Sequence, residues 1–251
     1  MEGVRPEDVA TMVPSDERNF VGFGDFLTVG FGYLGVFREL CGLEPHESVL
    51  DIGCGIGRMA VPLTQYLGPR GRYEGFDVVP EGIAWCRERI GPRYPNFRFQ
   101  RVDLRNGHYN PKGAQLPSAF RFPYDDASFD FVFLTSVFTH MLPADVAQYL
   151  REMRRVMRSG GRALATFFLL DEESRSGVAA GRADIAPSQT LGRYGVRSGE
   201  SPESAVFYDE DYVLEMLEEA GFGRPGRIAR GSWSGRDEYY DYQDVVVFAP
   251  R

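Results

Sequence analysis

Val49-Leu50-Asp51-Ile52-Gly53-Cys54-Gly55-Ile56-Gly57-Arg58-Met59-Ala60 is the stretch on which the fold turns. Four residues, apolar except for one acid, precede three glycines at alternate positions, and a helical pattern starts at Arg58. The order is strand, tight turn, helix. Glycines suit such a turn because the backbone bends sharply off a strand end and a ligand can approach peptide groups with no Cβ in the way. The helix that follows directs unpaired N–H groups and its positive dipole end into the same space. The spacing G-x-G-x-G lacks the third glycine of G-x-G-x-x-G, and Asp51 stands two residues before the first glycine. A carboxylate aimed into the turn repels a pyrophosphate and suits a ligand that is cationic there.

Outward from this turn, the chain alternates strands and helices. Arg72–Asp77 reads as a second strand ending in an acid, and Pro80 opens a helix to Ile90 with Ile83, Cys86 and Ile90 inward. Asp77 lies 20 residues after Gly57 (77 − 57), the separation at which a strand-end carboxylate accepts ribose hydroxyls in dinucleotide-binding folds. Capping the Pro80 helix is its alternative role. Phe97–Leu104 alternates as strand three, and Phe129–Thr135 is apolar enough for a central strand buried on both faces. Pro143 to Met157 has helical spacing, with Ser159-Gly160-Gly161 as its stop and Arg162–Leu170 as strand five. Asp209 to Ala220 is an amphipathic helix, and strands from about Gly226 to Trp233 and from Tyr242 to Ala249 form a closing hairpin. The helix after the glycine turn is expected from Arg58 to Leu67, closed by Gly68-Pro69. In Asn19–Leu40, glycines at 22, 24, 30, 32 and 35 argue against a regular helix before about Tyr33.

At this point the sequence resembles the class I S-adenosylmethionine-dependent methyltransferases, whose first motif has the form D-x-G-x-G-x-G. Val102-Asp103-Leu104 is similar to that family's third motif. The resemblance covers about residues 45–170 and implies a Rossmann-like, doubly wound α/β sheet of seven strands ordered 3-2-1-4-5-7-6, with strand seven antiparallel. It implies S-adenosyl-L-methionine as cofactor, held by Asp51, Gly53, Cys54, Gly55, Gly57, Arg58, Asp77, Val78, Asp103, Leu104, Thr135 and Ser136. Asp103 would accept from the adenine amine and Leu104 would pack on the ring. A nicotinamide enzyme has no need of Asp51 or Asp103.

The expected division is an N-terminal arm over 1–44 and a methyltransferase domain over 45–251, with an insertion at about 171–206. Family members place such an arm over the cofactor, which makes Phe23, Phe31 and Tyr33 pocket candidates; aromatic packing against the sheet is the plainer reading. The insertion is read as a mobile lid over the substrate, against a disordered surface excursion. Methyl transfer occurs at the end of strand four in the family, where His140 is the histidine placed by motif and Thr139 borders it. A histidine titrates near neutral pH, so His140 is the candidate general base, its alternative being to orient the loop or cap the helix. His108, in a long loop, is a weaker pocket candidate and reads first as a surface histidine.

Composition sets the remaining bounds. A 43% hydrophobic and 14% aromatic content suits a folded core, and no apolar run approaches the roughly 18 residues of a membrane span. With no signal-peptide pattern at the start, the expected location is the cytoplasm. Cys41, Cys54 and Cys86 are odd in number and lack metal-ligand spacing, which argues against a disulfide framework or a zinc site. Asp125, Asp126 and Asp130 read as solvated turn carboxylates, and no metal is expected. A net charge of −8 without a basic run excludes a phosphate-backbone partner. The expected partner is a small-molecule methyl acceptor, a sugar or secondary metabolite methylated on oxygen, with a homodimer as the oligomeric state. N- or C-methylation and non-catalytic cofactor binding are the alternatives.

Overall fold

The computed structural model describes residues 6–251. In chain order the elements are α1 (Pro6–Ala10), α2 (Phe26–Cys41), β1 (Ser48–Ile52), α3 (Ala60–Thr64), β2 (Arg72–Asp77), α4 (Pro80–Arg89), β3 (Phe97–Arg101), β4 (Phe129–Leu134), α5 (Pro143–Val156) and β5 (Met157–Phe167). There follow β6 (Leu169–Leu170), α6 (Glu172–Ala179), β7 (Gln189–Thr190), β8 (Tyr194–Val196), β9 (Val206–Asp209), α7 (Glu210–Glu219), β10 (Arg227–Ala229) and β11 (Asp244–Phe248). One sheet has seven strands in the order β10-β11-β5-β4-β1-β2-β3, which is the expected 3-2-1-4-5-7-6 read from its other edge. β1 and β2 are parallel, as are β2 and β3, whereas β11 runs antiparallel to β5 and to β10.

The chain packs as two units: residues up to Val102 with Phe129–Phe131, and Asp103–Ser128 with Val132–Arg251. In the first, Val49, Leu50, Ile52, Phe76, Ile83, Cys86 and Ile90 are buried, and Phe37 of α2 meets Phe131 edge to face at 5.2 Å. In the second, α5 buries Val146, Leu150 and Met153, and Phe138 packs on Phe167 at 5.2 Å. Each fully buried side chain of this size contributes about 1.5–3 kcal/mol, so apolar burial dominates both cores.

Helix α2 departs from the sequence expectation, because it runs through Gly30, Gly32 and Gly35. Asp25 caps it by accepting the Thr28 N–H at 2.8 Å, and Gly42 closes it in a left-handed conformation. Gly30 has a packing reason, since a Cβ there would lie 2.5 Å from the Arg58 carbonyl oxygen. That carbonyl is open to approach because its α-helical partner would be the N–H of residue 62, and Pro62 has none. The same missing donor accounts for α3 starting at Ala60, in place of the expected helix from Arg58 to Leu67. A methyl group on Gly35 would meet nothing within 4 Å. Gly30→Ala should therefore cost about 1–2 kcal/mol of stability while Gly35→Ala adds about 0.5–1, a pair of opposite shifts readable by thermal unfolding.

Two further boundaries differ. α5 ends at Val156 and leads directly into β5, so Ser159-Gly160-Gly161 lies inside a strand. The helix end is closed by the N–H groups of Ala127 and Ser128, which reach the carbonyls of Arg155 and Val156. The segment 171–206, expected as a mobile lid, contains α6, β7 and β8, and the last two join the flanking β6 and β9 in a four-stranded sheet ordered β6-β9-β8-β7. Phe168, Leu170, Ala205, Phe207 and Trp233 form a buried cluster there. The buried Asp244 carboxylate accepts the N–H groups of Leu169 and Gly231 and the Trp233 indole N–H, which ties this sheet to β11. No described helix is long and apolar enough to cross a membrane.

Candidate functional site

In the first unit the glycine turn is set by backbone geometry. Gly53, Gly55 and Gly57 have φ of 80°, 55° and 88°, a region costly for residues with a Cβ. The Gly53 and Cys54 N–H groups bond to the Phe76 carbonyl, which hangs the turn from β2. Asp77, ending β2, accepts the Gly55 N–H on one carboxylate oxygen and the Val79 N–H on the other, both at 2.8 Å. It thus braces the turn and also closes the start of α4. Burial raises its pKa, against the lowering effect of these N–H donors. Each oxygen has a second lone pair, so the carboxylate can still accept from a sugar hydroxyl.

Asp51 requires a correction. Expected as an anion facing the ligand, it is 1% exposed and accepts the Tyr73 hydroxyl at 2.6 Å. Burial pushes its pKa up to about 8, with the Tyr73 hydrogen bond opposing and the Asp77 charge adding to the rise. At neutral pH it is mostly protonated and joins β1 to β2 beneath the turn. Cys54 is buried and its thiol is pushed up by burial.

Arg58 does not point at solvent. Its guanidinium donates to the carbonyls of Val21, Gly22 and Phe23 and lies over the Phe26 ring at 5.8 Å. This holds the segment before α2 across the turn, where a Cβ on Gly55 would come within 2.6 Å of Val21. Of the aromatic pocket candidates, Phe23 is 99% exposed, Phe31 is exposed, and Tyr33 packs on Phe37 at 5.9 Å.

In the second unit, Asp103 is exposed and accepts from Asn110 at 3.1 Å, while Leu104 is buried and bridges to Gln115. Both follow the end of β3, which stops at Arg101, short of the expected Leu104. After β4, Thr135 is half-buried and Ser136 is exposed with φ of 59°. Its N–H donates to Thr166 Oγ1 at 2.7 Å, Thr166 donates to Gln243 Oε1 at 2.6 Å, and Gln243 Nε2 returns to Ser136 Oγ at 3.0 Å. A left-handed serine at a strand end is a strained state that persists only where neighbours hold it, and this closed ring does so. Thr139 is fully buried and so does not line an open pocket.

His140 is half-buried. Its Nδ1 bonds to the Glu203 carbonyl at 2.9 Å, and since a carbonyl only accepts, Nδ1 carries the proton. The Ser204 backbone also reaches the His140 ring. His108 stacks on His140 with centroids 5.8 Å apart and planes 8° apart, and Tyr109 meets it edge-on at 5.4 Å. Burial lowers the His140 pKa, the Glu203 carbonyl opposes, and His108 lowers it further. The imidazole is therefore neutral at pH 7 with a lone pair on Nε2. His108, expected first as a plain surface histidine, is exposed but joined to this cluster.

Two of the three acids around the start of β4 have partners within the protein. Asp126 pairs with Arg155 at 2.8 Å and Asp130 accepts the Ser48 N–H at 2.8 Å. Among the described residues no group of His, Cys, Asp or Glu is arranged to hold a metal ion.

Sheet order, the left-handed glycine turn and the acid closing β2 define a Rossmann-like α/β protein. A methyltransferase domain family matches residues 50–165. The chain is 30% identical to a demethylmenaquinone methyltransferase of Deinococcus radiodurans over 182 residues, covering 69% of this chain and 67% of that one. A demethylmenaquinone methyltransferase of Halalkalibacterium halodurans is 33% identical over 122 residues, 49% of this chain and 43% of its own length. The chain thus spans less than half of that relative. A solved structure of a Pyrococcus horikoshii OT3 protein superposes with a TM-score of 0.63 at 16% identity, covering 93% of this chain and 95% of that one. The chain belongs to the class I S-adenosylmethionine-dependent methyltransferases.

Proposed function

We propose that this chain transfers a methyl group from S-adenosylmethionine to a hydroxyl of a small-molecule acceptor, with His140 as general base. Gly53, Cys54, Gly55, Gly57, Asp77 and Val78 would hold the cofactor, and Asp103, Leu104, Thr135 and Ser136 would take the remaining roles that the family resemblance gives them. Asp51 and Arg58 support the turn from within the protein. The fit rests on a turn whose Gly53, Gly55 and Gly57 are left-handed and carry no Cβ, and on the unused acceptor capacity of Asp77. When bound, the cofactor supplies a methyl group activated by an adjacent sulfonium. The protein's tasks are then to align the acceptor and to take its proton.

One observation carries the base assignment: the His140 pKa is lowered by burial, and its Nδ1 donates to the Glu203 carbonyl, which leaves the lone pair on Nε2. The proton of the acceptor hydroxyl passes to Nε2, and the resulting imidazolium is stabilised through Nδ1–H by the same carbonyl. The insertion at about 171–206, with α6, β7 and β8, would cover the acceptor, with 1–44 as an arm and 45–251 as the methyltransferase domain. His140→Ala should lower turnover about 100-fold with little change in the KM for S-adenosylmethionine. Unchanged turnover at saturating acceptor would remove the base and favour an N- or C-methyl acceptor that needs none.

A further inference from the structure

The carbonyl that holds His140 lies 63 residues away in sequence, and both carboxylate oxygens of the same residue accept a hydrogen bond. Glu203 Oε2 accepts the Gly107 N–H at 2.7 Å, and Oε1 accepts Asn106 Nδ2 at 3.1 Å. Asn106 Nδ2 also donates to the His140 backbone carbonyl at 2.9 Å. Its Oδ1 accepts the N–H groups of His108 and Tyr109 at 3.1 and 2.9 Å. The amide of Asn106 therefore uses both donors and both lone pairs, joining the 106–109 loop, His140 and the turn at Pro202–Ser204. A side chain on Gly107 would overlap the Glu203 carboxylate, so the loop approaches it as closely as backbone allows.

We propose that Glu203 is a positioning residue for His140: its carboxylate, seated on Asn106 and Gly107, places its own carbonyl on Nδ1 and so keeps the lone pair on Nε2. The catalytic meaning rests on the base assignment above, but the geometry stands apart from it. Two N–H donors converge on the carboxylate, and a carboxylate accepts on both oxygens. Glutamine would turn an NH₂ group towards one of those donors, so it should seat only in part. The Ser204 backbone also reaches the ring, but the Nδ1 bond to the Glu203 carbonyl is the one that sets the tautomer, so its loss should shift the proton.

The test uses the ligand-free chain labelled with ¹⁵N in histidine and reads the His140 ring nitrogens by NMR. The wild type should show the Nδ1–H form. Glu203→Ala should give a mixture with the Nε2–H form, Glu203→Gln a smaller shift, and Asn106→Ala a shift like that of Glu203→Ala. The double variant should add little, because both residues act as one unit. Should Glu203→Ala fail to fold, Glu203→Gln and Asn106→Ala carry the same comparison. An unchanged Nδ1–H form in the folded variants overturns the proposal, since a purely structural carboxylate would alter stability without moving the proton. A tautomer shift with full turnover in His140→Ala would instead remove the base assignment and leave the positioning intact.

Discussion

Asp51→Asn should make the ligand-free protein progressively more stable than the wild type as pH rises from about 4 to about 8. The carboxyl has an ordinary pKa of 3.8 and is raised by burial to about 8 in the folded chain. A group raised on folding contributes its stability fully below the unfolded value and loses it as pH climbs towards the folded value. The loss amounts to about 1.4 kcal/mol per pH unit across that window, so a total of up to about 6 kcal/mol is at stake. Asparagine cannot ionise, and its side-chain oxygen still accepts the Tyr73 hydroxyl. Urea unfolding of both proteins across this range reads the difference directly. Parallel stability curves would show that Asp51 is ionised at neutral pH and that the buried-acid reading is mistaken.

Asp77→Ala should weaken binding of S-adenosylhomocysteine about 100-fold. A hydrogen bond to a charged group contributes about 1.5–3 kcal/mol, and a tenfold change in affinity corresponds to about 1.4 kcal/mol. The variant loses this acceptor and leaves the Gly55 and Val79 N–H groups unpaired, so the turn itself loosens. Asp77→Asn keeps one accepting oxygen but turns its NH₂ towards the other N–H donor, so its affinity should fall between those of the wild type and Asp77→Ala. Affinity unchanged in Asp77→Ala would mean that the ribose is held elsewhere.

The frame was legible because its signals are local. Alternation, the glycines at 53, 55 and 57, and the acid at 77 all lie within single elements and their turns, and the sheet order followed from the family that these motifs resemble. What escaped depends on partners distant in sequence. Gly30 reads as a helix breaker until the Arg58 carbonyl is placed against it, and that carbonyl is open because of Pro62. Asp51 reads as an exposed anion until the Tyr73 hydroxyl covers it. Glu203 is one acid in a polar stretch, and nothing local ties it to His140. Ser136 likewise depends on Thr166 and Gln243, 30 and 107 residues away. The insertion lacks a sustained period because its strands are two to four residues long and derive their order from Phe207 and Trp233 packing.

Calorimetric titration of the wild-type chain with S-adenosylhomocysteine tests the central claim, that the braced glycine turn binds an adenosyl cofactor. One saturable event with unit stoichiometry is the result expected, alongside no heat for NADH. Absence of heat for S-adenosylhomocysteine at millimolar concentration, or saturable binding of NADH in its place, would contradict it.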